Sequence, residues 1–175
     1  MKEVYAYFGL CMYYAQVFET GLINILTALE TARSRMPIRA TFDRLYQEHE
    51  RLTFGNLINA LSRHHFLSTN VMEEALKLKV ERDHLAHRFF RDHDLDFMTV
   101  GGCHLMIEEL EKRRERFMLL DERVSALQAG AFEKLGFTLE TFEASYNTAM
   151  SEMLEEARTK FSSRLEGRRP YLKEK

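Results

Sequence analysis

Proline is nearly missing from this 175-residue chain, occurring only at Pro37 and Pro170, and glycine is sparse at eight residues. Both residue types interrupt regular structure, so their scarcity favours long helices over strands and turns. No Ser/Thr/Asn/Gly-rich stretch serves as a linker, and no repeat or low-complexity tract stands out, so the length fits one domain with a single sizeable core. Cysteine is rare too. Cys11 and Cys103 lie far apart in apolar helical patterns, which suggests free buried thiols in a reducing compartment. A dominant charge is also lacking: the formal net charge of -2 means that any nucleic-acid surface must be a local patch. Nor is there a long hydrophobic run. The opening "MKEVYAYFGLCMYYAQVF" lacks a basic leader and a small-x-small cleavage site, and Glu19 closes it too early for a membrane span. The expectation is a cytoplasmic protein with no membrane association.

What is present is helical periodicity. Val4, Phe8, Cys11, Ala15, Phe18, Leu22, Ile25 and Leu29 alternate spacings of four and three, the stripe of a long helix that should end before Pro37. Shorter helices are expected around Thr41–His49 and in "TFGNLINALSRHHF", with Leu57, Ile58 and Leu61 facing inward. Asn70 followed by Glu73 reads as a capping box opening a helix whose stripe is Ala75, Leu78, Leu85 and Phe89. Met106, Leu110, Phe117, Leu120, Val124, Leu127 and Ala131 then keep heptad a/d spacing, broken by Arg113, over a coiled-coil-like helix stopped by Gly136. Thr138 is expected to cap a last helix through about Arg164. The pattern predicts an all-α elongated antiparallel bundle over residues 1–165, with 166–175 as a charged flexible tail. Long stripes of this kind favour dimers, because one protomer does not cover every seam.

Chemistry concentrates in "ERDHLAHRFFRDHDL", residues 81 to 95. Arg82 falls in the middle of the Ala75/Leu78/Leu85/Phe89 stripe, so it needs a carboxylate, a cleft or a ligand. Asp83 and His87 are one helical turn apart, where a carboxylate can accept an imidazole N–H and fix its tautomer. That is the arrangement of an activated base.

Arg82-Asp83-x-x-x-His87 resembles the signature of the HEPN superfamily, in which an arginine followed by a polar residue precedes a histidine on a helix of an all-α bundle. Arg44/His49 and Arg88/His93 share the spacing, but Leu45 and Phe89 stand where that signature has a polar residue. The resemblance implies a dimer with two motifs facing across a shared cleft and, in active members, a metal-independent endoribonuclease or RNA-binding module of toxin or defence type. It implies His87 in acid–base transfer, Asp83 orienting it, Arg82 stabilising the phosphorane, and Arg88 or Arg91 holding backbone phosphate. RNA, a second copy and a protein antitoxin or neighbouring regulator are the implied partners, with no cofactor and no metal. On a regular helix Arg82 and His87 diverge by about 140°. Convergence therefore requires a deformed helix, a wrapped arginine, or a site shared between protomers.

Other constellations rank lower. His84, His87 and His93 with Asp92, Asp94 and Asp96 offer a permissive metal set, without the spacings of established zinc or di-iron motifs. His93-Asp94 lacks the apolar surroundings expected of an HD-type phosphohydrolase. "EKRRERF" and "GRRPYLKEK" read as a solvated face and a solvated tail. The alternative function, from a different class, is a non-catalytic dimerisation or adaptor bundle in which Arg82 is a structural ion-pair partner.

Overall fold

The computed structural model describes residues 1–36, 39–134 and 150–162. Those residues form helices and contain no strand: α1 (Lys2–Arg33), α2 (Arg39–His49), α3 (Phe54–Arg63), α4 (Thr69–His87), α5 (Phe89–Asp92), a 3-10 turn (Asp96–Met98), α6 (Val100–Lys134) and α7 (150–162). The fold is all-α. Among the described residues no helix is long and apolar enough to cross a membrane.

The chain divides into two compact units, Met1–Gln128 and Ala129–Lys175. In the first, the α1 stripe is buried from Val4 to Leu29, with only Phe8 partly exposed. Fully burying a Leu, Ile or Phe contributes about 1.5–3 kcal/mol, so this stripe and its counterparts dominate the assembly of the unit. Leu57, Ile58 and Leu61 of α3 face inward as expected, and Thr53 caps that helix by accepting the Asn56 N–H at 3.3 Å. Ala75, Leu78, Leu85 and Phe89 are likewise buried.

The start of α4 differs from the expected Asn70/Glu73 box. Ser68 is the cap and accepts from the Val71 N–H, because a hydroxyl one residue before Thr69 reaches the free amides first. At the other end Arg88 (φ -131°, ψ -25°) breaks the helix, and Phe89 restarts it for a single turn.

In α6, Met106, Leu110, Phe117, Leu120 and Val124 are buried, whereas Leu127 is already 42% exposed. Three polar rungs join α6 to α4: Arg113 to His84, Arg116 to Glu81 and Arg123 to Glu74. Each step towards the start of α4 matches an equal step along α6, so the two helices run antiparallel in one register. Contacts of Glu19 with Arg82 and of Phe8 with Phe89 set α1 antiparallel to α4 as well.

Within the second unit α7 exposes Met153, Leu154 and Phe161 and carries the intrahelical pairs Arg158–Glu155 and Lys160–Glu156. Gly136, Thr138, Arg164 and the tail at 166–175 lie outside the described residues, as does the side chain of Ala131.

Candidate functional site

Arg82 emerges from the apolar stripe of α4 beside α1, where Glu19 comes up from the neighbouring helix. Its Nη2 donates to Glu19 Oε2 at 3.2 Å and its Nη1 to Asp83 Oδ1 at 3.2 Å. The guanidinium is 32% exposed and the glutamate 19%, so the pair is half-buried. Glu19 is the residue that sequence reasoning missed as a site member. Its signal was the same as that of Arg82, a lone charge beside an apolar stripe.

Asp83 does not meet His87. Its carboxylate accepts from Lys79 Nζ at 2.6 Å, one turn back, and from Arg82. The Lys79 bond above all holds the Asp83 carboxyl below the usual aspartate range; burial opposes it, and the smaller effect of the Arg82 bond adds to the lowering. A bond between two charged groups outcompetes one to an imidazole, which corrects the expectation of an Asp83-oriented base. His87 is exposed in the last turn of α4 and has no side-chain partner among the described residues. Since α4 stays regular through His87, Arg82 and His87 point away from each other within one chain. Arg88, 67% exposed, reaches Asp92 at 3.4 Å, and Arg91 is exposed without an ion pair among the described residues.

The other histidines of the segment belong to a polar chain that fastens α5 and the 3-10 turn to α4 and α6. Arginine can only donate, so Arg113 Nη1 at 2.8 Å makes His84 Nδ1 an acceptor and leaves Nε2–H to donate to Asp92 Oδ2 at 3.0 Å. That bond is the main reason the Asp92 carboxyl lies below its ordinary range. Arg113 also donates to Glu109 Oε1 and lies over the Phe89 ring, which explains a cation inside the α6 stripe. Glu109 Oε2 in turn lies 3.1 Å from His93 Nε2, and His93 Nδ1 lies 2.9 Å from Asp96. His84, His93, Asp92 and Asp96 are therefore engaged with one another's neighbours. No group of three metal-binding side chains comes together among the described residues.

Two further clusters have the composition of sites. Beside the α4–α6 rungs lies a groove of about 250 Å³ lined by Leu78, Leu119 and Leu120 together with Glu74, Lys77, Glu81, Arg116 and Arg123. Burial pushes the Glu81 carboxyl up, and Arg116 opposes that shift. On α1, Thr27 Oγ1 lies 3.0 Å from His49 Nδ1, and His49 Nε2 lies 3.1 Å from Glu30, the connectivity of a hydroxyl–imidazole–carboxylate relay. Thr27 is fully buried and donates to Ile23 O at 2.8 Å, so no substrate reaches it. The relay is a structural clasp between α1 and α2. Cys11 and Cys103 are free and buried as expected, and burial raises the Cys11 thiol to about 11.

Comparison with protein-family models, with curated proteins and with solved structures finds no match.

Proposed function

We propose that this chain is a helical interaction module of the HEPN type that acts as a homodimer, and that Arg82 organises the packing of α1 on α4 rather than cleaving RNA. The Arg82–Glu19 pair carries this reading. A cation that stabilises a phosphorane must offer its N–H groups to the developing charge, but two of those on Arg82 already serve carboxylates. Asp83 faces Lys79 and Arg82, so among the described residues no side chain orients His87 as a base. Support for the HEPN type is the Arg82-Asp83-x-x-x-His87 spacing on a helix of an all-α chain, followed by the long α6.

A second reading rests on a different observation. His87 is exposed and free of side-chain partners among the described residues, and Arg88 and Arg91 are exposed in the turn that follows. RNA cleavage would then take place in a cleft shared by two copies, with His87 of one removing the 2′-hydroxyl proton and Arg82 of the other meeting the charge.

RNA cleavage assays run beside thermal melts on wild type, Arg82→Ala and His87→Ala separate the two. The module reading expects no cleavage by wild type, an unchanged melt for His87→Ala, and a loss of about 1 kcal/mol for Arg82→Ala as Glu19 loses its half-exposed partner. Cleavage by wild type that persists in EDTA and falls roughly 10²–10⁴-fold in His87→Ala would establish the nuclease reading instead.

A further inference from the structure

The turn after α5 departs from the rest of the first unit in exposing large apolar side chains in close succession. Leu95 is 75% exposed, Met98 82% and Val100 77%, and Tyr5 at 56% adjoins them through its contacts with Phe90 and Phe97. Leu95 and Met98 are linked by the Met98 N–H to Leu95 O bond at 3.1 Å, and residues three apart in a 3-10 turn eclipse one another. They therefore stand on one side. This turn is tied to its neighbours: the His84–Asp92 bond fastens α5 to α4, and His93, bonded to Asp96, lies in charge-pair range of Glu109 on α6. Its apolar side chains are held out from a base anchored by these contacts.

Two charges stand next to this patch in sequence, Asp94 beside Leu95 and Arg91 four residues before it. Arg91 is exposed and has no ion-pair partner, and Asp94 is exposed and accepts only the Leu95 N–H, both among the described residues. Their neighbours differ, since Arg88, Asp92, His93 and Asp96 are all paired within the chain. A surface with one unpaired cation and one unpaired anion beside an apolar centre matches a second copy of itself when the two-fold axis passes between the two charges, which sets each against its opposite.

We infer that this face, Leu95, Met98 and Val100 edged by Arg91 and Asp94, is where a second copy of the chain docks, with Arg91 of each copy paired to Asp94 of the other. The inference rests on the homodimer reading and gives it a location. By contrast, the α4–α6 groove has its Glu74–Arg123 and Glu81–Arg116 pairs closed within one chain, and of its lining charges only Lys77 is without an ion pair among the described residues, a cation with no unpaired anion to complement it in a second copy.

The test is light scattering of the full chain at micromolar concentration. Wild type is expected at about twice the single-chain mass of 20.7 kDa. Met98→Glu, at a site too exposed to matter to the fold, should give the single-chain mass with an unchanged circular dichroism spectrum. Arg91→Glu should weaken the dimer at least tenfold by setting two carboxylates against each other. Combining it with Asp94→Arg should restore the dimer, because the exchanged charges again face their opposites. A dimer that survives Met98→Glu and Arg91→Glu but separates with Leu119→Glu on α6 overturns this face while keeping the homodimer. Wild type at the single-chain mass overturns both. Loss of the dimer in Arg91→Glu without recovery in the double variant overturns the Arg91–Asp94 pairing.

Discussion

Asp121 shows what an unpaired carboxylate does in this fold. Half-buried on α6, it has no side-chain partner among the described residues, and its Oδ1 lies 3.3 Å from where a Cβ on Gly21 of α1 would stand. Burial first, and the Glu122 charge second, push its carboxyl above the ordinary value. A folded pKa above the unfolded one means that the folded state holds the proton more firmly. Stability then falls as pH rises through the carboxylate range. Asp121→Asn removes that loss, so the variant should gain up to about 1 kcal/mol over wild type at neutral pH. The gain should fade as both forms are taken below the reference aspartate pKa of about 3.9. Melting temperatures of the two proteins across pH 3.5 to 7.5 check it, and a pH-independent gap would assign the effect to packing instead. Asp83 has the opposite sign. Its depressed carboxyl supports the fold above the unfolded value, and that support is lost as pH falls through the lower folded one.

At the scale of elements, the junction between the 3-10 turn and α6 depends on one glycine out of two in sequence. A Cβ on Gly102 would lie 2.1 Å from Asp96 O and 2.5 Å from Asp96 Cα, both backbone atoms, while one on Gly101 meets nothing within 4 Å. The Gly102 N–H also donates to Thr99 Oγ1 at 2.9 Å, which ties the first turn of α6 to the residue that caps it. Gly102→Ala must therefore push the 3-10 turn away, at an expected cost of about 2–3 kcal/mol. Gly101→Ala should be neutral or stabilise by up to about 1 kcal/mol, the helical preference of alanine over glycine. Denaturant unfolding of the pair reads both. Equal effects at the two positions would mean that the close approach does not constrain α6. The neighbouring α4–α6 rungs explain why that helix tolerates Arg113 in its apolar stripe, since the partners His84 and Glu109 are carried to it by register and by one turn of its own helix.

For the molecule as a whole, the polar network decides which chemistry is open to it. The imidazoles of His84 and His93 are engaged by Arg113, Asp92, Asp96 and Glu109, so a metal ion must break existing bonds to bind there. Zinc titration is accordingly expected to leave the melting temperature within a degree or so of that in EDTA. By mass action, a zinc concentration one hundred times the dissociation constant would instead add about 2.7 kcal/mol, a rise of several degrees. Such a rise would return the His84/His87/His93 set to consideration. The helices themselves could be read from the sequence. Apolar spacing and the position of Pro37 are local properties, and they placed α1 and α3 with their buried faces. The same holds for the buried face of α4 and for Arg82 as a residue in need of a partner, because a charge in an apolar stripe is visible without coordinates. The identity of that partner was not local. Glu19 lies 63 residues away and meets Arg82 only because α1 packs antiparallel on α4. Nor could spacing choose between Lys79 and His87, each one turn from Asp83; the choice falls to the stronger charge-assisted bond. Periodicity records what each helix must bury, whereas the pairing of its charges depends on which groups packing brings within reach and which of them bind more strongly.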